Sequence, residues 1–271
     1  MKFDEVKDRR GTYCTQWDYV KDRFGKDDLL PFTISDMDLE SPEEIVDALI
    51  KRINHRIFGY SRWNHDDFKN SIEGWYNKRF DFQIDKEWII YSPSVIYAVS
   101  KFIEMKSNKG DGVLINTPGY DGFFKVIGDN ERKLLTSPLK KVENGYEIDF
   151  NDFESKCREA KIFLLCSPHN PTGKVWTENE LKKMIEICKK YNVFIISDEI
   201  HMDIIYRGKH NPILSQAGDY IDNIVLCTSA SKTFNIPALC GSYLFITNQS
   251  DRDEFLRILK NRDALSSPSI L

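Results

Sequence analysis

Four stretches of this 271-residue chain combine residue types that do chemistry, and each follows a short apolar run. Thr117-Pro118-Gly119-Tyr120 follows GVLIN (112–116), and Ser167-Pro168-His169-Asn170-Pro171-Thr172-Gly173 follows KIFLLC (161–166). Asp198-Glu199-Ile200-His201 follows VFIIS (193–197), and Ser229-Ala230-Ser231-Lys232 follows NIVLC (223–227). Such runs read as strands, and a ligand of a parallel sheet sits beyond the carboxyl ends of its strands. One pocket would then receive an aromatic ring, an amide, a carboxylate, hydroxyls and an amine. Pyridoxal phosphate chemistry asks for that set: a lysine to bond the aldehyde, a carboxylate facing a protonated pyridine nitrogen, an amide near the phenolic oxygen, and phosphate donors. Ser92-Pro93-Ser94-Val95-Ile96 opens a helix whose free amides suit a phosphate dianion, and Ser229 adds a hydroxyl three residues before Lys232.

The elements that must position these residues alternate short apolar runs with longer amphipathic ones, the α/β pattern. The runs named above, together with SYLFIT (242–247), are apolar throughout, as expected of strands covered on both faces of a mostly parallel sheet. Ser41-Pro42-Glu43-Glu44 and Thr177-Glu178-Asn179-Glu180 both read as capping boxes at helix starts. Further helices are expected over 66–80, 95–107 and 251–261, and the first 40 residues read as an extended arm. Taken singly, Asp198 reads as a helix cap, Asn170 as a turn residue before Pro171, Tyr120 as a core aromatic and His201 as a structural histidine. Their shared placement after strands is what favours chemistry.

Composition excludes several classes. Lys and Arg number 38 against 42 acidic residues, a formal net charge of −4, so nothing points to a nucleic-acid or anionic-membrane surface. The six cysteines are scattered without a CxxC pair, which suggests a reduced, cytoplasmic protein, and His169 and His201 lack a third ligand at metal-binding spacing. The charged N-terminus is unlike a signal peptide, and the longest uncharged run, Thr233 to Ser250, is broken by Asn235, Pro237 and Gly241, making it a poor membrane span. Gly173-Lys174 resembles the end of a nucleotide-binding P-loop, but Pro168 stands where its first glycine must be.

The strings SPHNPTGKVWT, ISDEIHMD and TSASKTFNIPALCG resemble the fold-type I aminotransferase superfamily. More narrowly, GTYCTQWDYVKDRFG, LLPFTISDMD, FGYSRW, PSVIYAVS and LSSPS resemble the MalY/PatB group of cystathionine β-lyases and related carbon–sulfur lyases. The resemblance implies a three-layer αβα large domain. Lys232 would bond the cofactor, Asp198 would hold the pyridine nitrogen protonated, Asn170 would bond the phenolic oxygen and Tyr120 would stack on the ring. The amides of Val95 and Ile96 with Ser229 would bind phosphate, and His201 would lie close to the cofactor. Tyr60, in FGYSRW, would reach into the neighbouring subunit's site, which implies a homodimer.

The reaction implied is β-elimination on a sulfur amino acid such as cystathionine, releasing a thiol, pyruvate and ammonia. Aminotransfer shares its first proton abstraction and remains open, although the branch-specific strings point to the lyase. The resemblance also implies residues 1–50 as an N-terminal arm with part of a small domain and 51–271 as the cofactor-binding domain. Relatives continue past LSSPS for roughly a hundred residues, implying a C-terminal small domain, absent here, that would carry the arginine gripping the substrate carboxylate. A cofactor-binding or dimerising fragment without substantial activity is therefore a third reading. Loss of that domain would leave Phe3, Trp17, Tyr19 and Phe24 exposed.

Overall fold

The apolar runs form the centre of a seven-stranded sheet in a computed structural model that describes residues 4–261. The strands are β1 (Ile89–Ser92), β2 (Gly112–Thr117), β3 (Lys133–Pro138), β6 (Ala160–Cys166), β7 (Phe194–Asp198), β8 (Ile224–Thr228) and β9 (Ser242–Ile246). A separate hairpin pairs β4 (Lys140–Val142) with β5 (Gly145–Glu147). The sheet order is β1-β9-β8-β7-β6-β2-β3. Only β9 runs against the others, pairing antiparallel with both β1 and β8.

Residue alternation along each strand divides the core in two. Phe163, Leu165, Ile195 and Leu226 point to one face, where Tyr76, Phe153, Leu181 and Met184 pack from helices Asp66–Phe80, Phe150–Cys157 and Glu178–Tyr191. Ile162, Leu164, Ile196 and Val225 point to the other, against Phe102, Phe123 and Phe255 from helices Val95–Lys106, Asp121–Asp129 and Gln249–Asn261. Helices therefore cover both faces, giving the expected three-layer α/β arrangement and explaining why the strands carry no polar alternation.

The chain divides into two compact units, one formed by residues 1–59 with 230–239 and the other by 60–229 with 240–271. The first unit contains helices Val20–Phe24, Glu43–His55 and Ala230–Thr233. Its N-terminal stretch is not the extended arm expected. The Asp18 carboxylate accepts from the amides of Gly11 (2.8 Å) and Cys14 (2.9 Å), folding the chain into turns, and Gly25 at φ +71° ends the helix that follows. Within this unit Tyr19 and Phe24 are exposed as anticipated. Trp17 is half-buried and donates to Asp38, while Phe3 and the LSSPS segment lie outside the described residues.

The two expected capping boxes part company. Thr177 Oγ1 accepts from Glu180 N (3.2 Å) while Glu180 Oε2 accepts from Thr177 N (2.9 Å), closing the box. At the other site Pro42 occupies the cap position, and the Ser41 hydroxyl donates instead to the Asn235 carbonyl at 3.2 Å. A hydroxyl expected to accept from a local amide instead donates to a distant carbonyl.

Candidate functional site

Strand register sets the centre of the site in the larger unit. Asp198 ends β7, level with Cys166 of β6 on one side and Cys227 of β8 on the other. Asp198 is 5% exposed, and its Oδ1 accepts from Ile200 N at 3.1 Å. Burial, and next the Asp198 charge, hold the Cys166 thiol well above the usual thiol range. The same two causes, in the same order, act on Cys227. A field that resists a second negative charge there favours a positive one.

Beside Cys166, the loop from Ser167 to Lys174 is fastened at several points. Asn170 N donates to Cys166 Sγ at 3.3 Å, and that thiol donates to the Pro168 carbonyl at 3.4 Å. His169 N bonds to Lys174 O and Gly173 N to His169 O, both at 2.8 Å, with Gly173 at φ +69°, where glycine suits the left-handed turn. Trp176 Nε1 donates to the Cys166 carbonyl at 2.8 Å, and His169 Nδ1 lies 2.8 Å from Thr172 Oγ1. Asn170 is thus presented from a rigid turn at the sheet edge.

Tyr120 follows β2 and precedes helix Asp121–Asp129, its ring edge-on to Phe123 with centroids 5.5 Å apart. Burial, then the charges of Asp121 and Asp198, raise its phenol above the ordinary range, which keeps the hydroxyl protonated. His201 is half-buried and lines a cavity of about 590 Å³ together with Pro168, His169, Asn170, Tyr146 and Arg207.

The fourth corner is built at the β1–β9 edge. Ser94 Oγ accepts from Tyr97 N at 3.1 Å and so caps helix Val95–Lys106, leaving the Val95 and Ile96 amides in its first turn. Gly241 N donates to Pro93 O (2.9 Å), while Ser229 Oγ donates to Gly241 O (2.8 Å), so Gly241 joins Ser229 to the turn before that helix. Helix-end amides and a hydroxyl make a suitable cradle for a phosphate dianion. Together with the anionic field at Asp198, they fit the chemistry of pyridoxal phosphate.

Two further expected residues complete the set. Tyr60 is fully exposed and lines a different cleft of about 940 Å³ with Arg62, Trp63, Asn64 and Arg252. Lys232 sits on the short helix Ala230–Thr233, following Ser229 directly in the chain, and belongs to the smaller unit. Among the described residues no cluster of three or more His, Cys, Asp or Glu could hold a metal ion.

Comparison with known proteins gives the lineage. The pattern of the family Aminotransferase class I and II matches residues 27–270. The chain belongs to that family. Protein MalY of Escherichia coli (strain K12) is 50% identical over 273 residues, spanning 99% of this chain and 69% of MalY. Cystathionine beta-lyase PatB of Bacillus subtilis (strain 168) is 37% identical over 258 residues, 94% of this chain and 66% of PatB. Among solved structures, a PLP-bound putative aminotransferase from Clostridium difficile 630 superposes with a TM-score of 0.95 at 38% identity, covering 99% of this chain and 70% of that one. The PLP-bound C-S lyase of Staphylococcus hominis gives 0.92 at 32%, covering 100% and 68%. This aminotransferase-family chain therefore spans about two thirds of the length of these relatives.

Sequence reasoning passed over several residues that shape the site. Cys166 and Trp176 tie down the Asn170 loop. Glu199, one residue beyond Asp198, is fully buried and binds His210 Nε2 at 2.6 Å, Ser197 Oγ at 2.9 Å and Ile213 N at 3.0 Å. The adjacent carboxylates in ISDEIHMD were the available signal for Glu199. Nothing local in the sequence indicated His210.

Proposed function

We propose that this chain binds pyridoxal 5'-phosphate and acts as a carbon–sulfur β-lyase, cleaving cystathionine or a related sulfur amino acid to a thiol, pyruvate and ammonia. The reading is carried by the convergence of Asp198, Asn170, Tyr120 and the Val95–Ile96 helix terminus on one sheet edge. Similarity to a named cystathionine beta-lyase and to a C-S lyase supports the choice of reaction.

When bound, the cofactor supplies an electron sink for the charge left on the substrate α carbon. Lys232 would be the residue that bonds its aldehyde carbon, and its Nζ would serve as the base for the substrate α proton. Asp198 would keep the pyridine nitrogen protonated, the Asn170 amide would donate to the phenolic oxygen, and Tyr120 would cover the ring. The amides of Val95 and Ile96 would hold the phosphate. Ser229 would exchange its Gly241 acceptor for the same group. His201 would face the cofactor, and Tyr60, exposed on its own chain, would reach the partner's site in a homodimer. A cytoplasmic location agrees with six free cysteines, and among the described residues no helix is long and apolar enough to cross a membrane.

A second reading, amino transfer, is favoured by the likeness to the Clostridium difficile putative aminotransferase. It differs in where the proton returns. The two are separated by measuring pyruvate released from cystathionine without added keto acid, beside amino transfer that depends on one. The lyase reading expects the first to exceed the second. In Lys232→Ala, the visible absorbance of lysine-bound cofactor and the pyruvate release should both vanish, and turnover retained by that variant would overturn the assignment of Lys232.

A further inference from the structure

Lys232 lies on a helix of only four residues, Ala230–Thr233, too short to hold its own direction. The chain leaves this helix through two backbone bonds, Phe234 N to Ala230 O (3.0 Å) and Ile236 N to Ser231 O (2.9 Å). Between them stands Asn235, at φ +54°, a left-handed conformation that asparagine accepts more readily than most side chains.

The Asn235 side chain does more than tolerate the turn. Its Oδ1 accepts from Met37 N at 2.9 Å, and its Nδ2 donates to Met37 O at 2.9 Å and to Leu39 O at 2.8 Å. One amide thus satisfies three backbone groups of a segment some 200 residues earlier, as a neighbouring strand would. Its own carbonyl accepts from Ser41 Oγ at 3.2 Å. The receiving segment is itself anchored: Arg9 binds Asp36 at 2.5 Å and Asp38 at 2.8 Å, and Trp17 Nε1 donates to Asp38 Oδ1 at 3.0 Å.

We propose that Asn235 is a positioning residue for Lys232, its side-chain amide fastening the lysine-bearing turn to the backbone of Met37 and Leu39 and so setting where Nζ is presented. The inference rests on the assignment of Lys232 made above. It gives the Met37–Leu39 backbone a part in placing Lys232. Direction matters as well as contact. Two of the three side-chain bonds require Asn235 to donate, so aspartate, of equal size, would set a carboxylate against two carbonyl oxygens.

Two variants test this. Asn235→Gly keeps the left-handed turn free of strain and removes the tether, whereas Asn235→Asp keeps the shape and removes the donors. For both, kcat should fall about tenfold or more with KM within about twofold, because a small misplacement of a reacting group costs mainly turnover. The pH midpoint of the visible absorbance of bound cofactor should shift, which loss of stability alone would not produce. In the cofactor-free chain, amide hydrogen exchange over residues 230–239 should quicken in both variants. Ser41→Ala, which deletes only the bond to the Asn235 carbonyl, should change exchange and midpoint in the same sense by less, and it serves if the Asn235 variants do not fold. Parent-like midpoint and kcat in Asn235→Gly, or unchanged exchange over 230–239, would overturn the proposal. Lys232→Ala is measured in parallel: if it keeps the visible absorbance, the lysine assignment fails, while the exchange result still reports on the tether.

Discussion

Acid should loosen the Asn170 loop through one side chain. His169 is 3% exposed, with Nδ1 2.8 Å from Thr172 Oγ1, a second hydrogen bond to the Asn116 backbone, and its ring edge-on to Trp176 at 5.9 Å. Burial, with a smaller contribution from the Lys174 charge, pushes its pKa down from 6.5 to about 4, against the opposing bond to Asn116. The folded chain therefore holds His169 neutral where the unfolded chain would protonate it. Stability is greatest above the unfolded value of 6.5 and is lost as pH falls toward about 4. The full loss is about 3 kcal/mol, of which about 2 kcal/mol falls between about pH 7 and about pH 5. Because other groups titrate over the same interval, the measurement is a difference. Urea unfolding, followed by tryptophan fluorescence at both pH values, compares the parent with His169→Gln, which retains a donor and an acceptor but does not titrate. The parent should lose about 2 kcal/mol more than the variant on acidification. Equal losses would refute the placement of a neutral, desolvated histidine behind Asn170.

Two further substitutions probe the scaffold. Thr177→Ala removes the hydroxyl from the closed capping box of helix Glu178–Tyr191 and should cost about 1 kcal/mol, read as a lower urea midpoint with an unchanged slope. His210→Leu strips Glu199 Oε2 of its 2.6 Å partner in a fully buried site and should cost about 3 kcal/mol. The double variant Glu199→Leu with His210→Leu should recover part of that loss, and a double variant less stable than the single one would show that the penalty is not the stranded carboxylate.

How far the fold could be read in advance follows from where apolar surface is buried on both sides. β2, β6, β7, β8 and β9 match the continuous apolar runs to within a residue at each end because helices cover both faces of each. β3 escaped notice because at the edge of the sheet Lys133 and Leu134 face solvent, leaving a broken run. β1 has four residues, too few for a period to emerge, and the β4–β5 hairpin is almost wholly exposed. The reversed direction of β9 was also invisible. An apolar run records that a strand is covered, but which way it runs depends on the length and path of the connection before it.

The site divides along the same line between local and distant causes. Period-two alternation continues from Ile196, on the face of Phe102 and Phe255, to Asp198, whose register neighbours Cys166 and Cys227 belong to that same core. The alternate series, Ile195 and Ser197, leads to Glu199, and there the carboxylate meets Ser197 and His210. Two adjacent acids are thereby given opposite surroundings by the geometry of a single strand end. The first could be placed in advance because it directly follows an apolar run. The second, like Asn235, depends on a partner supplied by another segment: eleven residues away for Glu199, nearly two hundred for Asn235. Polar residues that follow the strands of a parallel sheet are therefore legible residue by residue, whereas the bonds that fix their surroundings become visible only once the chain has folded back on itself.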